Sequence, residues 1–540
     1  MVSIPLIVLI LEATGVTFLR LWILMFVSVV IAIVAGVLAA RVRIAELIII
    51  PVTDVLEAVP VISFFPIVLV FFIVDIGGPL GTELAVDFLI ITALLWNLIL
   101  GVYQAVTHIP SELIDLTYVY KFSTLRRIAK LYVPASVPKI VANVMPSFAS
   151  GLFYITLSEM ISVGNHNYHV FGVGEVAVQL AGTSNLLGTL LLIVILVAAI
   201  VLTFFFIINP LVRYAERFNF EMERTPDSFS ASRKRSALIN SLSQRTSQVT
   251  ASFSQILYSI SRVSTIPVRG IRRKVKLSER NVNYVVGAVL ILVLAVSIYI
   301  IAQSGFSEAF LLYVINRRFL LDATVGAIYD LTRIVIVYAI SLATMVPLAI
   351  IAGRRWRGGN TLNGIMQVVY SIPAPVFYPL ILIYLTPFIA KSVGLDLAIN
   401  GDVLIITYLS AASYIFFNVF GAARSIPGEF NMVASTFKLK RMQRLRYIVF
   451  PSIIPALITG SMSAVGSYWA GLMIGEYEVL PNATYSVSFG LMKMIDQAIA
   501  SGNLLYADAI DIYMVIIIII MSYLIWIRLY DYSRKKYTLE

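Results

Sequence analysis

Apolar runs of about 20 residues recur from one end of the chain to the other, each closed by a short polar or basic segment. A run of that length crosses the hydrocarbon of a bilayer as one helix, the form that satisfies its own backbone there. The pattern predicts spans at about 14–40, 54–75, 86–106, 139–160 and 187–212. After a gap come about 283–303, 323–352, 363–386, 403–423, 457–477 and 508–528, eleven in all. The gap near 216–280 is rich in Ser and Arg and contains Arg233-Lys234-Arg235 and Arg272-Arg273-Lys274. It reads as a solvated tether against anionic lipid, with a regulatory role as the alternative. Ile256, Leu257, Ile260 and Val263 predict one short interfacial helix within it.

The polar positions fix an orientation. Arg41 and Arg43, then Lys121, Arg126, Arg127 and Lys130, then Arg213, fall on one side of the predicted spans. So do Arg354, Arg355 and Arg357, the group from Lys438 to Arg446, and Arg534, Lys535 and Lys536. The other side holds few cations: Arg317, Arg318, Lys391 and Lys493. By the positive-inside bias the basic side is cytoplasmic, the N-terminus outside and the C-terminus inside. No basic n-region of a cleavable signal peptide precedes the first span.

One pattern occurs twice. Pro110, Glu112, Pro134, Pro138 and Glu159 return as Pro427, Glu429, Pro451, Pro455 and Glu476, every pair 317 positions apart. Arg20, Pro60 and Pro66 return as Arg333, Pro373 and Pro379 at a spacing of 313, so the second copy gains four residues in an outer loop. Five spans carry a chain across the membrane an odd number of times. A second copy in the same orientation therefore needs one return crossing, which the unmatched run at 283–303 supplies. The expected fold is an all-α membrane protein with two parallel-related repeats of five helices and one linking helix. Its divisions are 1–215, the linker 216–282, the return helix 283–303, and 304–540.

Composition narrows the class. At 59% hydrophobic and 13% charged, the chain carries about half the charge of a soluble domain. The net charge of +11 sits between spans, which argues against nucleic acid. There is no cysteine, hence no disulfide frame and no thiolate metal site. No phosphate-binding Gly-x-x-x-x-Gly-Lys-Ser/Thr loop occurs, since Gly353-Arg-Arg-Trp-Arg-Gly358 lacks the lysine and the hydroxyl. The chain is not expected to be an enzyme or to bind a cofactor itself. His166 and His169 have half a metal spacing without a supporting carboxylate or thiolate, and His108 lies on the opposite side, so no metal site is expected.

Each copy places a basic helical stretch between two spans. The first runs from Pro110 through Asp115, Thr117, Lys121, Arg126, Arg127 and Lys130 to Pro134. The second runs from Pro427 through Met432, Ala434, Lys438, Lys440, Arg441, Arg444 and Arg446 to Pro451. A short cytosolic helix tied at both ends to membrane spans docks in a partner's groove and transmits the partner's motion; prolines mark where the spans begin. The plainer reading is an anchor at the membrane surface.

These stretches resemble the EAA loop of ABC importer permeases, in which a Glu-Ala-Ala triplet is followed by Gly, a basic helix and Leu-Pro. The second copy's Trp469 to Glu476 spacing is similar to permeases of the nitrate, sulfonate, taurine and bicarbonate group. The match is by spacing and prolines. The triplet falls on Asp115-Leu116-Thr117 and Met432-Val433-Ala434, and the family's Gly falls on Lys121 and Lys438. The resemblance implies a fused two-repeat permease that forms the translocation path in the plasma membrane and imports a small anion. It implies docking to two copies of a cytoplasmic ATP-binding cassette ATPase, with ATP and Mg on that partner, and an extracytoplasmic solute-binding protein. Docking would fall to Glu112, Asp115, Thr117, Lys121, Arg126 and Arg127, and to Glu429, Met432, Ala434, Lys438, Arg441 and Arg444. An ATP-independent secondary transporter with parallel duplication is the alternative, though the chain has few central acids for ion coupling. An intramembrane enzyme lacks any nucleophile–base or metal constellation.

Arg20, Glu159, Arg333 and Glu476 are ionisable residues that fall inside spans, one of each sign in each half. Such groups pair or face a cavity. Within-half pairs Arg20–Glu159 and Arg333–Glu476 are expected, placed near the outer ends, fixing helix packing; attraction of an anion by the arginines is the second reading. Asn418, Tyr468 and Trp469 are candidates for the path. Tyr370, Phe377, Tyr378, Tyr468 and Trp469 are read first as core packing.

Overall fold

A computed structural model describes residues 4–58, 68, 72, 76–160, 170–183, 185–218, 310–354, 358–480, 483–521, 524–525 and 528–537. Among them, eight helices are long and apolar enough to cross a membrane. The first half runs α1 (Ile4–Arg41), α2 (Arg43–Ala58), α3 (Gly78–Thr107), α4 (Ser111–Val119), α5 (Thr124–Met160), α6 (Val173–Gly182) and α7 (Leu186–Ala215). The second runs α8 (Arg317–Gly353), α9 (Gly359–Ser371), α10 (Ala374–Val393), α11 (Leu395–Ser425), α12 (Gly428–Thr436) and α13 (Arg441–Glu476). It closes with the hairpin β1 (Tyr477–Leu480) and β2 (Ala483–Ser486), then α14 (Leu491–Ala500), α15 (Leu504–Met521) and α16 (Arg528–Tyr537). The expected return helix, nearly all of the linker with its short helix, His166 and His169 lie outside the described residues.

The repeat holds at the level of single turns. The pairs α3 and α11, α4 and α12, and α5 and α13 each begin 317 residues apart. Gly77 and Gly394, at the same spacing, precede α3 and α11 with φ of 72° and 88°, a region that favours glycine. Of the two apolar cores, one is built almost wholly by the first half and the other mainly by the second, joined by Ala85, Leu89, Phe153 and Leu157 of the first. The halves interlock where Val376, from the start of α10, enters the core of the first half.

Three sequence expectations are corrected. The helices that carry the spans placed at 139–160 and 457–477 begin much earlier, because α5 and α13 run unbroken through Pro134, Pro138, Pro451 and Pro455. A π-turn at Ile128–Tyr132 and another at Leu445–Val449 stand just before the prolines. Such a turn accommodates the missing proline N–H within a continuing helix. The expected span 363–386 is broken at Ile372, whose extended backbone (φ −74°, ψ 120°) precedes Pro373 and divides α9 from α10. The short helices α6 and α14 follow the α5 and α13 spans and had no sequence counterpart.

The basic stretches have the same backbone in both copies. Phe122 N donates to Thr117 O and Lys121 N to Tyr118 O, while Leu439 N donates to Ala434 O and Lys438 N to Ser435 O. This is the Schellman ending, which puts one residue in the left-handed region. That residue is Lys121 (φ 50°) or Lys438 (φ 48°), where the resembling family has Gly. A lysine there costs about 1 kcal/mol relative to glycine. Lys121→Gly and Lys438→Gly are each expected to raise thermal stability by that amount in detergent; no gain in either would contradict the assigned turn.

Candidate functional site

Two buried clamps and one cavity share the helices α5 and α13. In the first clamp Arg20 Nη1 lies 3.4 Å from Glu159 Oε1, and Arg20 Nη2 lies 2.9 Å from Glu83 Oε2. Thr17 Oγ1 donates to Glu159 at 2.8 Å and accepts from Val173 N at 3.0 Å, while Gly174 N donates to Glu159 at 2.9 Å. In the second, Arg333 Nη1 lies 2.6 Å from Glu476 and 3.2 Å from Asp330, and Arg333 Nη2 donates to Asn400 at 2.8 Å. Leu491 N donates to Asp330 at 2.9 Å and Lys493 N to Glu476 at 3.1 Å. Each carboxylate at the end of a long span therefore holds the N-terminus of a short helix, α6 or α14. Anions are favoured at such an end. The clamp fastens the short helix and the first span of the half together.

Helix α1 begins at Ile4 and α8 at Arg317, so Arg20 and Arg333 lie at the same position, about 24 Å along their helices.

The clamps are rewired copies. Glu83 and Asn400 occupy matched positions, as do Thr17 and Asp330. The first half carries its extra acid at the start of α3 and a hydroxyl on α1; the second carries an amide and an acid in those places. Formal charge is equal, but solvation is not: the Glu83 side chain is 47% exposed, while Asp330 is fully buried.

A cavity of about 470 Å³ lies between the halves. One wall is α5, with Asn143, Ser150 and Tyr154; the other includes α9, α11 and α13, with Gln367, Tyr414 and Ser467. Ser150 and Tyr414 bridge the halves through a 2.8 Å hydrogen bond. Asn418 lines the cavity. Tyr468 and Trp469 do not: both are buried, and the Tyr468 hydroxyl donates to Ser341 at 2.7 Å. Their neighbours Ser467 and Ala470 are the lining residues. Asn418 also has a counterpart that sequence reasoning missed. Its match in the first half is Gly101, and a Cβ there would meet the Asn143 amide; the match of Asn143 is Gly460, where a Cβ would meet Asn418. The amide has moved to the facing helix, and the glycine has moved with it.

The basic stretches present apolar groups outward. Leu125 and Met442, matched positions, are 79% and 73% exposed. Leu116, Tyr120, Val433 and Phe437 are exposed beside them. Thr117 and Ala434, the last residues of the triplets, are buried. Glu112 and Glu429 are exposed in the first turns of α4 and α12, where an acid stabilises the helix start. Asp115 and Met432 are exposed, as are Lys121, Arg126, Lys438 and Arg441. Arg127 stacks on Tyr118 at 3.9 Å, and Arg444 Nε donates to Leu439 O at 3.2 Å. At the membrane ends of the same stretches, Arg41 stacks over Tyr132 at 4.6 Å. The matched Arg354 has its pKa lowered from the usual arginine value by burial and by the nearby Arg444 charge. Among the described residues no group of three His, Cys, Asp or Glu is arranged to hold a metal.

Residues 28–218 and 345–538, together more than half of the chain, each match the family described as the binding-protein-dependent transport system inner membrane component. The chain belongs to that family. Two matches in one polypeptide make it a fused, duplicated permease component of a binding-protein-dependent ABC import system, and a multi-pass integral membrane protein. Its similar curated proteins include the nitrate import permease proteins NrtB of Synechococcus elongatus and Leptolyngbya laminosa. They are 23% and 26% identical over 147 residues, which is 27% of this chain and 49% of each relative. NrtB of Synechocystis sp. is 23% identical over the same length and half of that protein. The chain thus spans about half the length of the curated relatives it matches. Membership favours the importer reading over the ATP-independent one.

Proposed function

We propose that this permease component forms the translocation path of an ATP-driven importer of the plasma membrane, and that α4–α5 and α12–α13 couple it to a cytoplasmic ATPase dimer. The carrying observation is that one helix joins three features. Helix α5 begins in the docking stretch, lines the cavity through Asn143 and Ser150, and ends in the clamp at Glu159. Helix α13 repeats the order, with Ser467 and Glu476. Such a helix is about 55 Å long and transmits a push at one end to the other. ATP and Mg belong to the ATPase, and two ATPase copies match two docking stretches. An extracytoplasmic solute-binding protein delivers substrate, the basic side faces the cytoplasm, and the two divisions 1–215 and 304–540 rock against each other about the cavity.

The small-anion substrate expected from the resemblance has its support in the nitrate of the relatives' names. Both clamp arginines are engaged by carboxylates, so they serve packing rather than anion attraction.

The docking reading is tested with Leu125→Asp and Met442→Asp in one chain. Burying an acid in an apolar socket is expected to weaken ATPase binding at least about 30-fold, as for interface anchors worth 2 kcal/mol or more. Fluorescence-detected co-elution with the purified ATPase measures it. Undiminished binding would remove the docking assignment.

A further inference from the structure

The cavity has a polarity that the clamps and loops do not share. None of its described lining residues is Lys, Arg, His, Asp or Glu. An anion entering it would give up water without meeting a cation among these residues, which is costly. Several of the hydroxyl and amide donors are also turned away. Ser371 Oγ donates to Gln367 O at 2.6 Å and Ser410 Oγ to Thr407 O at 2.7 Å. Asn418 Nδ2 donates to Tyr414 O at 2.9 Å, and one proton of the Ser150–Tyr414 pair is spent between them. What these groups leave toward the cavity is mainly oxygen lone pairs. Asn143, Asn363 and Gln367 add an acceptor for every amide donor. The remaining wall is aromatic, with Phe153, Tyr154, Tyr370, Tyr414 and Phe417. About 470 Å³ is within the range of sites for organic ligands.

We propose that the cavity takes an uncharged organic solute with a flat face and N–H or O–H donors on its edge, of the kind of a nucleobase or an aromatic amide, in preference to an inorganic anion. The proposal rests on the permease reading and changes its substrate class. The flat face lies against the aromatic rings, and the edge donors meet the lone pairs of Asn418, Ser371 and Ser410. Asn143 and Asn418, exchanged between facing helices with their glycines, supply one amide from each half. An oxyanion offers acceptors only and leaves those oxygens unmet.

The absence of cysteine from the chain makes the test direct. Ser413→Cys and Ser467→Cys place a thiol in the lining, each in the otherwise unchanged full chain. Ser435→Cys, on the exposed face of α12, is the reference. Alkylation by N-ethylmaleimide is timed with uracil, nicotinamide, sodium nitrate or sodium sulfate present. A solute at twice its dissociation constant slows modification about threefold. The expected result is protection of either cavity thiol by uracil or nicotinamide, none by nitrate or sulfate, and no change at position 435. Protection by nitrate alone would overturn the substrate class and leave the permease reading standing. Alkylation of the cavity thiols unaffected by all four solutes would equally overturn it. Thiols inert at both cavity positions in every condition, with position 435 reactive, would show that solutes do not reach the cavity and remove the translocation-path reading as well.

Discussion

Arg333→Met is expected to destabilise the protein by about 3–5 kcal/mol, the cost of leaving a buried charge without its partner, and Arg20→Met by clearly less. Removal of Arg333 leaves two fully buried acids, Glu476 and Asp330, without their cation, each keeping one backbone N–H donor. Removal of Arg20 strands only Glu159 in the interior, where Thr17 and Gly174 still donate to it. Glu83, its other partner, is half-exposed and returns to water. Thermal unfolding of the two variants in the same detergent measures the difference. Equal shifts would mean that the rewiring of the clamps has no energetic consequence. A restoring pair follows: Asp330→Thr with Asn400→Glu rebuilds the second clamp in the pattern of the first, and it should recover much of what Asp330→Thr alone loses.

Gly490→Ala should cost about 3 kcal/mol or more, although its backbone suits any residue. Its φ is 173°, ordinary extended chain. The added Cβ would run into the Glu476 carboxylate. To make room, the carboxylate must leave Arg333 and the backbone N–H of Lys493, so crowding and a broken ion pair act together. Gly172 stands in the same relation to Glu159. The comparison is Gly502→Ala, where φ is +74° and nothing lies within 4 Å of the new atom. Left-handed strain alone costs about 1 kcal/mol. If Gly502→Ala unfolds at a lower temperature than Gly490→Ala, the carboxylate is not seated against Gly490 as described.

Much of this architecture was legible in the chain because duplication makes spacing informative. The 317-residue register located both basic stretches and Glu159 with Glu476, and the 313-residue register marked Arg20 and Arg333 as the arginines that pair with them. The prolines misled. Pro134 and Pro451 read as span starts, but a π-turn lets the helix pass through each of them. The inner halves of the clamps were missed for a different reason. Glu83 and Asn400, or Thr17 and Asp330, do not look alike, so a search for repeated residues passes over them. Their signal is reciprocal: one half has the acid where the other is neutral. The same holds for Asn143 with Gly101 and Asn418 with Gly460. Tyr468 and Trp469 show the remaining limit. A uniformly apolar helix gives no period from which to choose the face turned to the cavity, and these two fall between the lining residues Ser467 and Ala470.

The central claim is that the halves move against each other across the cavity while the docked ATPase works at the far ends of α5 and α13. Ser150→Cys with Tyr414→Cys tests it most directly, since those residues face each other across the halves and the chain has no other cysteine. A tyrosine ring separates position 414 from Ser150, too far for a direct disulfide, so the two thiols are joined by a short bis-methanethiosulfonate. The purified cross-linked chain is then reconstituted with its ATPase and solute-binding protein, and ATP-driven uptake is followed before and after reduction. The account predicts that the cross-link stops uptake, leaves the ATPase bound, and releases uptake on reduction. Uptake at the full rate in the cross-linked complex would contradict it.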